Sequence, residues 1–258
     1  MHEGRETVVT IHDGISDIKI VEDGREASYS LEHLWDLVVT IPNFHFEDGR
    51  TDTVEVFVRP TNHVYSRALK PEEDRNILRQ TGRLIIRYEH HEDAPNKIKK
   101  GDDGNPVVSS DVRAFCEEKY QSSLNIPDFV DALEGGPAKL CVLANRDDDR
   151  SCLTALFEFE HGPQQKECFV VIFKLHKLSA RQLSMVIETA FLIDGDDFRV
   201  HLLNSKDKGK PFFVIANNVF ANRKPFEGKA KKRAKKSYKK QKRNAKNEKT
   251  SPKRRGFQ

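Results

Sequence analysis

Alternation dominates the first third of the chain. In "TVEVFV" (53–58), Val54, Val56 and Val58 fall on one side of an extended backbone and Glu55 and Phe57 on the other, the period of a half-buried strand. "TVVTI" (7–11), "DIKIV" (17–21) and "LWDLVVTIPNFHF" (34–46) alternate or run apolar in the same way. Between them stand acidic-Gly turns, "HDG" (12–14) and "EDGR" at 22–25 and 47–50, whose Asp-Gly steps suit the positive dihedrals of tight hairpins. A β-meander follows. "SLEHLWDLVV" (30–39) also admits a short helix capped by Ser30, with Leu31, Leu34, Trp35 and Val38 on one face.

Helical spacing enters next. "PEEDRNILRQTG" (71–82) predicts a short helix with proline and acids at its start and Gly82 at its stop. "RLIIRYEHH" (83–91) is a strand, and "EDAPNKIKKGDDGNPVVSS" (92–110) a long polar loop. "SSDVRAFCEEKYQSSL" (109–124) predicts a helix capped by Ser or Asp, and "IPDFVDALEGG" (126–136) another with Pro127 in its first turn. Three strand-like runs come after, "CLTALFEFE" (152–160), "CFVVIFKLHKL" (168–178) and "LSMVIETAFLI" (183–193). Connections as short as "HGPQQK" and "SARQ" make them an antiparallel meander. "FRVHLL" (198–203) and "PFFVIANNVF" (211–220) complete the body. The expected fold is α+β, antiparallel meanders with helices on one side. The expected divisions are a β-rich lobe at 1–92, a polar loop at 93–110, a second lobe at 111–222 and a disordered basic tail at 223–258.

Charge sharpens that last division. The 258-residue chain has a net charge of only +4. Residues 223–258 hold 17 Lys or Arg against two acids, and residues 1–222 hold 27 against 38, so an acidic body of net −11 carries a tail of net +15. The tail has no aliphatic side chain larger than Ala beyond its first few residues and no apolar stripe, too little surface to offset its ordering entropy. Such a segment is attracted to polyphosphate, gaining affinity from counterion release without regard to sequence. RNA or DNA is the expected partner, through Lys231, Lys232, Arg233, Lys235, Lys236, Lys239, Lys240, Lys242, Arg243, Arg254 and Arg255, with Arg59 and Arg67 as contributors on the body. The acidic body is free to meet a protein partner. A tail folded back on that body is the main alternative, and the lack of an apolar face argues against a membrane helix.

Other chemistries are narrowed. The four cysteines are widely spaced, with no CxxC pair and no zinc spacing, and read as reduced thiols. No Walker loop, GxGxxG, GxSxG or HExxH is present, so no cofactor is expected. His90 and His91 are adjacent on a strand and point to opposite faces, so no metal is expected there. The N-terminus lacks a signal-peptide pattern and no apolar run reaches membrane-spanning length, which gives a cytoplasmic expectation.

Two polar clusters compete for any chemistry. In "VRPTNHVYSR" (58–67) the strand stops at Pro60 and turns, and a compact turn would bring His63, Ser66 and Arg67 together, an imidazole to move protons and a guanidinium to hold phosphate oxygens. Its structural alternative is that Asn62 and His63 tie the turn down. On the later meander Lys174 and His176 share a face, and Glu188 interrupts an apolar run, with pairing to Lys174 the expected explanation.

The succession "RPTNHVYSR", "VRAFCEEKYQSSLNIPDFVDAL", "FVVIFKLHKL", "SMVIETAFLI" and "KGKPFFVIANN" resembles an uncharacterised bacterial family found on mobile elements, over roughly residues 52–222. More loosely, the order of helix, meander and late strand with a Thr is similar to the barnase, colicin and RelE-like metal-independent ribonucleases. That resemblance implies catalytic roles for His63, Arg67, Lys174, His176 and Thr189, although the acidic body departs from the basic cleft of such enzymes. Three functions stay open: a nucleic-acid-binding accessory protein, a metal-independent ribonuclease or toxin-like enzyme, and a structural or assembly component of a mobile element.

Overall fold

The structure, a computed structural model, describes residues 16–89, 109–136, 141–144, 152–160, 166–197, 200 and 209–226. Strands β1 (Asp17–Glu22) and β2 (Arg25–Ser30) form a hairpin whose corner residues Asp23 and Gly24 have φ of 48° and 72°, the positive pair that "EDGR" demands. "SLEHLWDLVV" splits between the two readings: a 3₁₀ turn at Glu32–Leu34 buries Leu31 and Leu34, and strand β3 (Val38–His45) follows. The second "EDGR" joins β3 to β4 (Thr51–Pro60), with Gly49 at φ 92°. "TVVTI" and "HDG" lie outside the described residues.

Beyond β4 a 3₁₀ turn (Asn62–Val64) leads to β5 (Ser66–Ala68), helix α1 (Arg75–Gln80) and β6 (Leu84–Glu89). Helix α1 starts later than its proline suggests because Asp74 caps it, its carboxylate accepting from Asn76 N at 2.7 Å. Gly82 ends the turn after α1 at φ 73°, and a Cβ there would meet the Lys19 carbonyl oxygen at 2.0 Å, so the approach of β1 also requires glycine.

One expected helix divides in two. Residues Ser109–Phe115 form strand β7, and α2 begins only at Glu117 and ends at Ser123. β7 lies between β5 and β6 and pairs with both, so ladder bonds on two sides override the local helical spacing. Helix α3 (Ile126–Gly135) has Pro127 in its first turn as expected.

Strands β8 (Cys141–Ala144), β9 (Cys152–Glu160), β10 (Lys166–Lys177), β11 (Gln182–Asp194) and β12 (Lys210–Pro211) complete the sheets. The expected antiparallel meander is β9–β10–β11. The large sheet runs β12-β8-β9-β10-β11-β4-β3, antiparallel except where β11 lies parallel to β4. That pairing puts strands from residues 1–92 and 111–222 into one sheet, and the described residues up to Pro225 belong to one compact unit.

"PFFVIANNVF" is helical: α4 (Phe212–Phe220) buries Phe212, Ile215, Ala216, Val219 and Phe220, a 3.6-residue period within a β-prone composition. It covers the apolar face of the sheet, where Phe212 meets Phe173 at 6.4 Å between ring centroids and Asn217 Nδ2 donates to His45 O at 3.0 Å. Phe169, Val171 and Phe173 on β10, Met185 and Ile187 on β11 and Val54 and Val56 on β4 are all fully buried there, each contributing about 1.5–3 kcal/mol. The expected α+β class, rich in antiparallel strands, is the observed one. Among the described residues no helix is long and apolar enough to cross a membrane.

Candidate functional site

The sheet's other face carries the polar residues, and its geometry follows from one irregularity. Between β10 and β11, Ile172 opposes Thr189 and Phe173 opposes Ile187, so Glu188 is the extra residue of a β-bulge. The bulge lets Glu188 turn to Lys174, whose Nζ lies 2.7 Å from its carboxylate, the expected pairing. The end of β4 docks on the same irregularity: Thr61 N donates to Ile187 O at 2.9 Å and Thr61 Oγ1 to Glu188 O at 3.1 Å.

The turn that follows is braced from inside. Thr61 Oγ1 accepts from His63 N at 3.3 Å, and Ser66, with no exposed surface, donates its hydroxyl to Asn62 O at 2.6 Å. Arg113 on β7 donates from Nε to Ser66 Oγ at 2.9 Å and from Nη2 to Ser66 O at 3.2 Å. Lys119 on α2 donates to His63 O at 3.1 Å and to Thr189 Oγ1 at 3.3 Å. Cations from two other elements therefore hold the turn by its neutral oxygens.

Arg67 goes elsewhere. Neighbouring residues on β5 point to opposite sides, so Ser66 faces inward and Arg67 outward. Both terminal nitrogens of the guanidinium engage the Glu73 carboxylate, Nη1 at 2.7 Å to Oε2 and Nη2 to Oε1. Glu73 also accepts from Lys70 N at 2.7 Å. The hydrogen bonds from Arg67, then that from Lys70, hold the Glu73 carboxyl down at about 2, and the same pairing raises Arg67.

The expected residues thus separate into two groups. Thr189, Lys174 and the backbone of His63 meet around the bulge, and Arg59 shares a row with Lys174 across Val186. His176 stands opposite Ser184, a hydroxyl buried without a hydrogen-bond partner among the described residues. Arg67 does not join them. The tail residues Lys231 to Arg255, and His90 and His91, lie outside the described residues. Among the described residues no group of three or more His, Cys, Asp or Glu is placed to hold a metal.

Three residues carry this geometry without having been legible in the sequence: Glu73, Arg113 and Lys119. Lys119 is the most informative of them. Its ammonium is half-buried, and burial, then the neighbouring Arg113, lower its pKa. It forms no ion pair among the described residues, in contrast to Arg67 and Lys174.

No curated protein and no solved structure matches the chain. One family does. The match covers residues 18–220, from β1 to the end of α4, and so includes both the bulge and the turn docked on it; the chain belongs to the YjaZ family.

Proposed function

We propose that this protein is a nucleic-acid-binding accessory protein, held to RNA or DNA by its C-terminal segment while the folded body meets a protein partner. The observation that supports this reading is the division of charge, 17 basic residues against two acidic ones in 223–258 beside a body of net −11. Each phosphate neutralised releases condensed counterions, so affinity falls with salt at a log–log slope of about −0.7 to −0.9 per contact. The mobile-element setting implied by the sequence resemblance is part of the same proposal.

The test depends on where the tail begins. Arg223 belongs to the body, since its Nη2 donates to Asn218 Oδ1 at 2.7 Å and its Nη1 to Glu47 at 2.5 Å. Truncation after Phe226 leaves those bonds in place and removes 15 of the basic residues. Binding of single-stranded RNA and duplex DNA, measured over a salt series, should collapse on that truncation; an unchanged affinity and salt slope would sink the proposal.

A second reading, a metal-independent ribonuclease, draws on the meeting of Thr189, Lys119 and Lys174 at the bulge. It asks for RNA cleavage in EDTA that Thr189→Val or His176→Ala removes. The neutralisation of Arg67 by Glu73 and of Lys174 by Glu188 weighs against it, because the two cations to which the ribonuclease resemblance gives a role already face carboxylates.

A further inference from the structure

Of the cations around the end of β4, two face a carboxylate directly. Arg67 has Glu73 and Lys174 has Glu188, with contacts of 2.7 Å in each pair. Among the described residues Lys119 has only His63 O and Thr189 Oγ1, at 3.1 and 3.3 Å, against the roughly 2.7–2.9 Å of an ammonium–carboxylate bond. A half-buried ammonium held by neutral oxygens keeps part of its desolvation cost uncompensated.

Donor arithmetic shows what the place is suited to receive. An ammonium has three hydrogens, and Lys119 spends two. Thr189 uses its oxygen to accept from Lys119, which leaves its own hydroxyl hydrogen to donate. Two donor groups, one from α2 and one from β11, therefore stand 3.3 Å apart, and the Arg113 guanidinium on β7 adds positive charge beside them. The charged and titratable groups facing Lys119 are Arg113 from β7 and Cys116 and Glu118 from α2, the exposed Glu118 having the smallest effect on it. Beyond Thr189 the Glu188 carboxylate is engaged by Lys174.

The geometry points to a phosphate-binding site on the folded body, with Lys119 and Thr189 as donors and Arg113 as the flanking cation. A tetrahedral oxyanion accepts from several directions at once, as the two donors and the flanking charge require, and it supplies the ion-pairing oxygen that Lys119 lacks among the described residues. The ligand is a phosphate group, free or within a nucleotide or nucleic-acid backbone. None of its residues belongs to the C-terminal segment, and the proposal stands or falls independently of that segment's role.

Site-resolved lysine labelling of the full-length chain decides the matter, because the basic tail would dominate any bulk phosphate titration. The protein is acylated at neutral pH with and without inorganic phosphate at fixed ionic strength, and modification of each lysine is read by mass spectrometry. Phosphate at about 10 mM should slow Lys119 at least about fivefold, as expected for a dissociation constant of millimolar or below. Lys174, already paired, should not change. Thr189→Val should lose most of the protection while Lys119 remains labelled. Uridine 5′-monophosphate and a short single-stranded RNA, matched in total phosphate, assign the source: stronger protection by the RNA marks a backbone site, and equal or stronger protection by phosphate or nucleotide marks a free-anion site. Labelling of Lys119 unchanged by all three, or protection equal in Thr189→Val, overturns the proposal. Loss of RNA binding on truncation after Phe226, with Lys119 unprotected, would leave the tail's role standing and this site rejected.

Discussion

Arg67 and Lys119 both lie within electrostatic reach of Cys116, and the chain treats them in opposite ways. Arg67 is clasped by a carboxylate that accepts from both of its terminal nitrogens; Lys119 is met by a carbonyl and a hydroxyl. A clasped guanidinium has its charge answered by the fold, whereas a cation among neutral oxygens keeps its charge available to a ligand. Arginine in a polar turn is the more arresting feature of the sequence, yet the contrast assigns the structural role to it and the candidate chemistry to a lysine on a short helix.

The largest way to break the comparison is to cut the turn they share. Ser66 is fully buried, donates to Asn62 O and accepts from Arg113 Nε. Ser66→Ala removes both of these bonds inside the fold and leaves the Asn62 carbonyl with only the longer bond from Tyr65 N at 3.3 Å, a cost of about 2–3 kcal/mol. The denaturant midpoint should fall with an unchanged m-value; a change below about 0.5 kcal/mol would show that the turn is held by other means.

Next in size is the clasp. Glu73→Gln keeps the shape and removes the charge, and should cost about 1–2 kcal/mol at neutral pH, given that the pair is partly exposed. Its signature is in acid. The folded Glu73 carboxyl sits at about 2, below its ordinary value of 4.5, so its contribution is fully present above that ordinary value and is lost as pH falls from about 4.5 to about 2. The stability difference between wild type and Glu73→Gln should shrink across that window, and a constant difference would mean that the carboxylate's charge is not what matters.

How much of this was legible in sequence depends on the range of the forces. Hairpins at "EDGR" and the β9–β10–β11 meander follow from local dihedrals and short connections, and the Glu188–Lys174 pair from the oddity of an acid in an apolar run. Strand β7 was hidden because its ladder partners, β5 and β6, are supplied from elsewhere in the chain. In the site, Thr189 and Lys174 were legible as polar breaks in strands. Lys119 was not, because one lysine on an amphipathic helix looks like any other until the fold sets Thr189 and the His63 carbonyl beside it. Arg67 drew notice as a cation near a histidine, and only the path of the chain after β5 brings Glu73 to it.

A smaller test asks whether the other clasp resembles the first. A double-mutant cycle on Lys174→Met and Glu188→Gln should give a coupling of about 1 kcal/mol, since the lysine is about a third exposed and the glutamate less. Coupling near zero would place Lys174 with Lys119, as a cation whose charge is not consumed by the fold.

The smallest expected effect is the sharpest in sign. Burial and Arg113 lower the Lys119 pKa below its ordinary value of 10.5, so folding disfavours the protonated form. Below the folded pKa this is a standing cost, and as pH rises between the folded and unfolded values the unfolded chain binds more protons and stability climbs. Lys119→Met removes that cost together with two long hydrogen bonds to neutral oxygens, so the net change at neutral pH should be within about 0.5 kcal/mol, and the alkaline climb should flatten. Arg67→Met must behave differently, losing about 1–2 kcal/mol because it abandons a carboxylate. Equal losses in the two variants, measured side by side by urea unfolding at neutral and alkaline pH, would mean that the lysine is as much a part of the scaffold as the arginine.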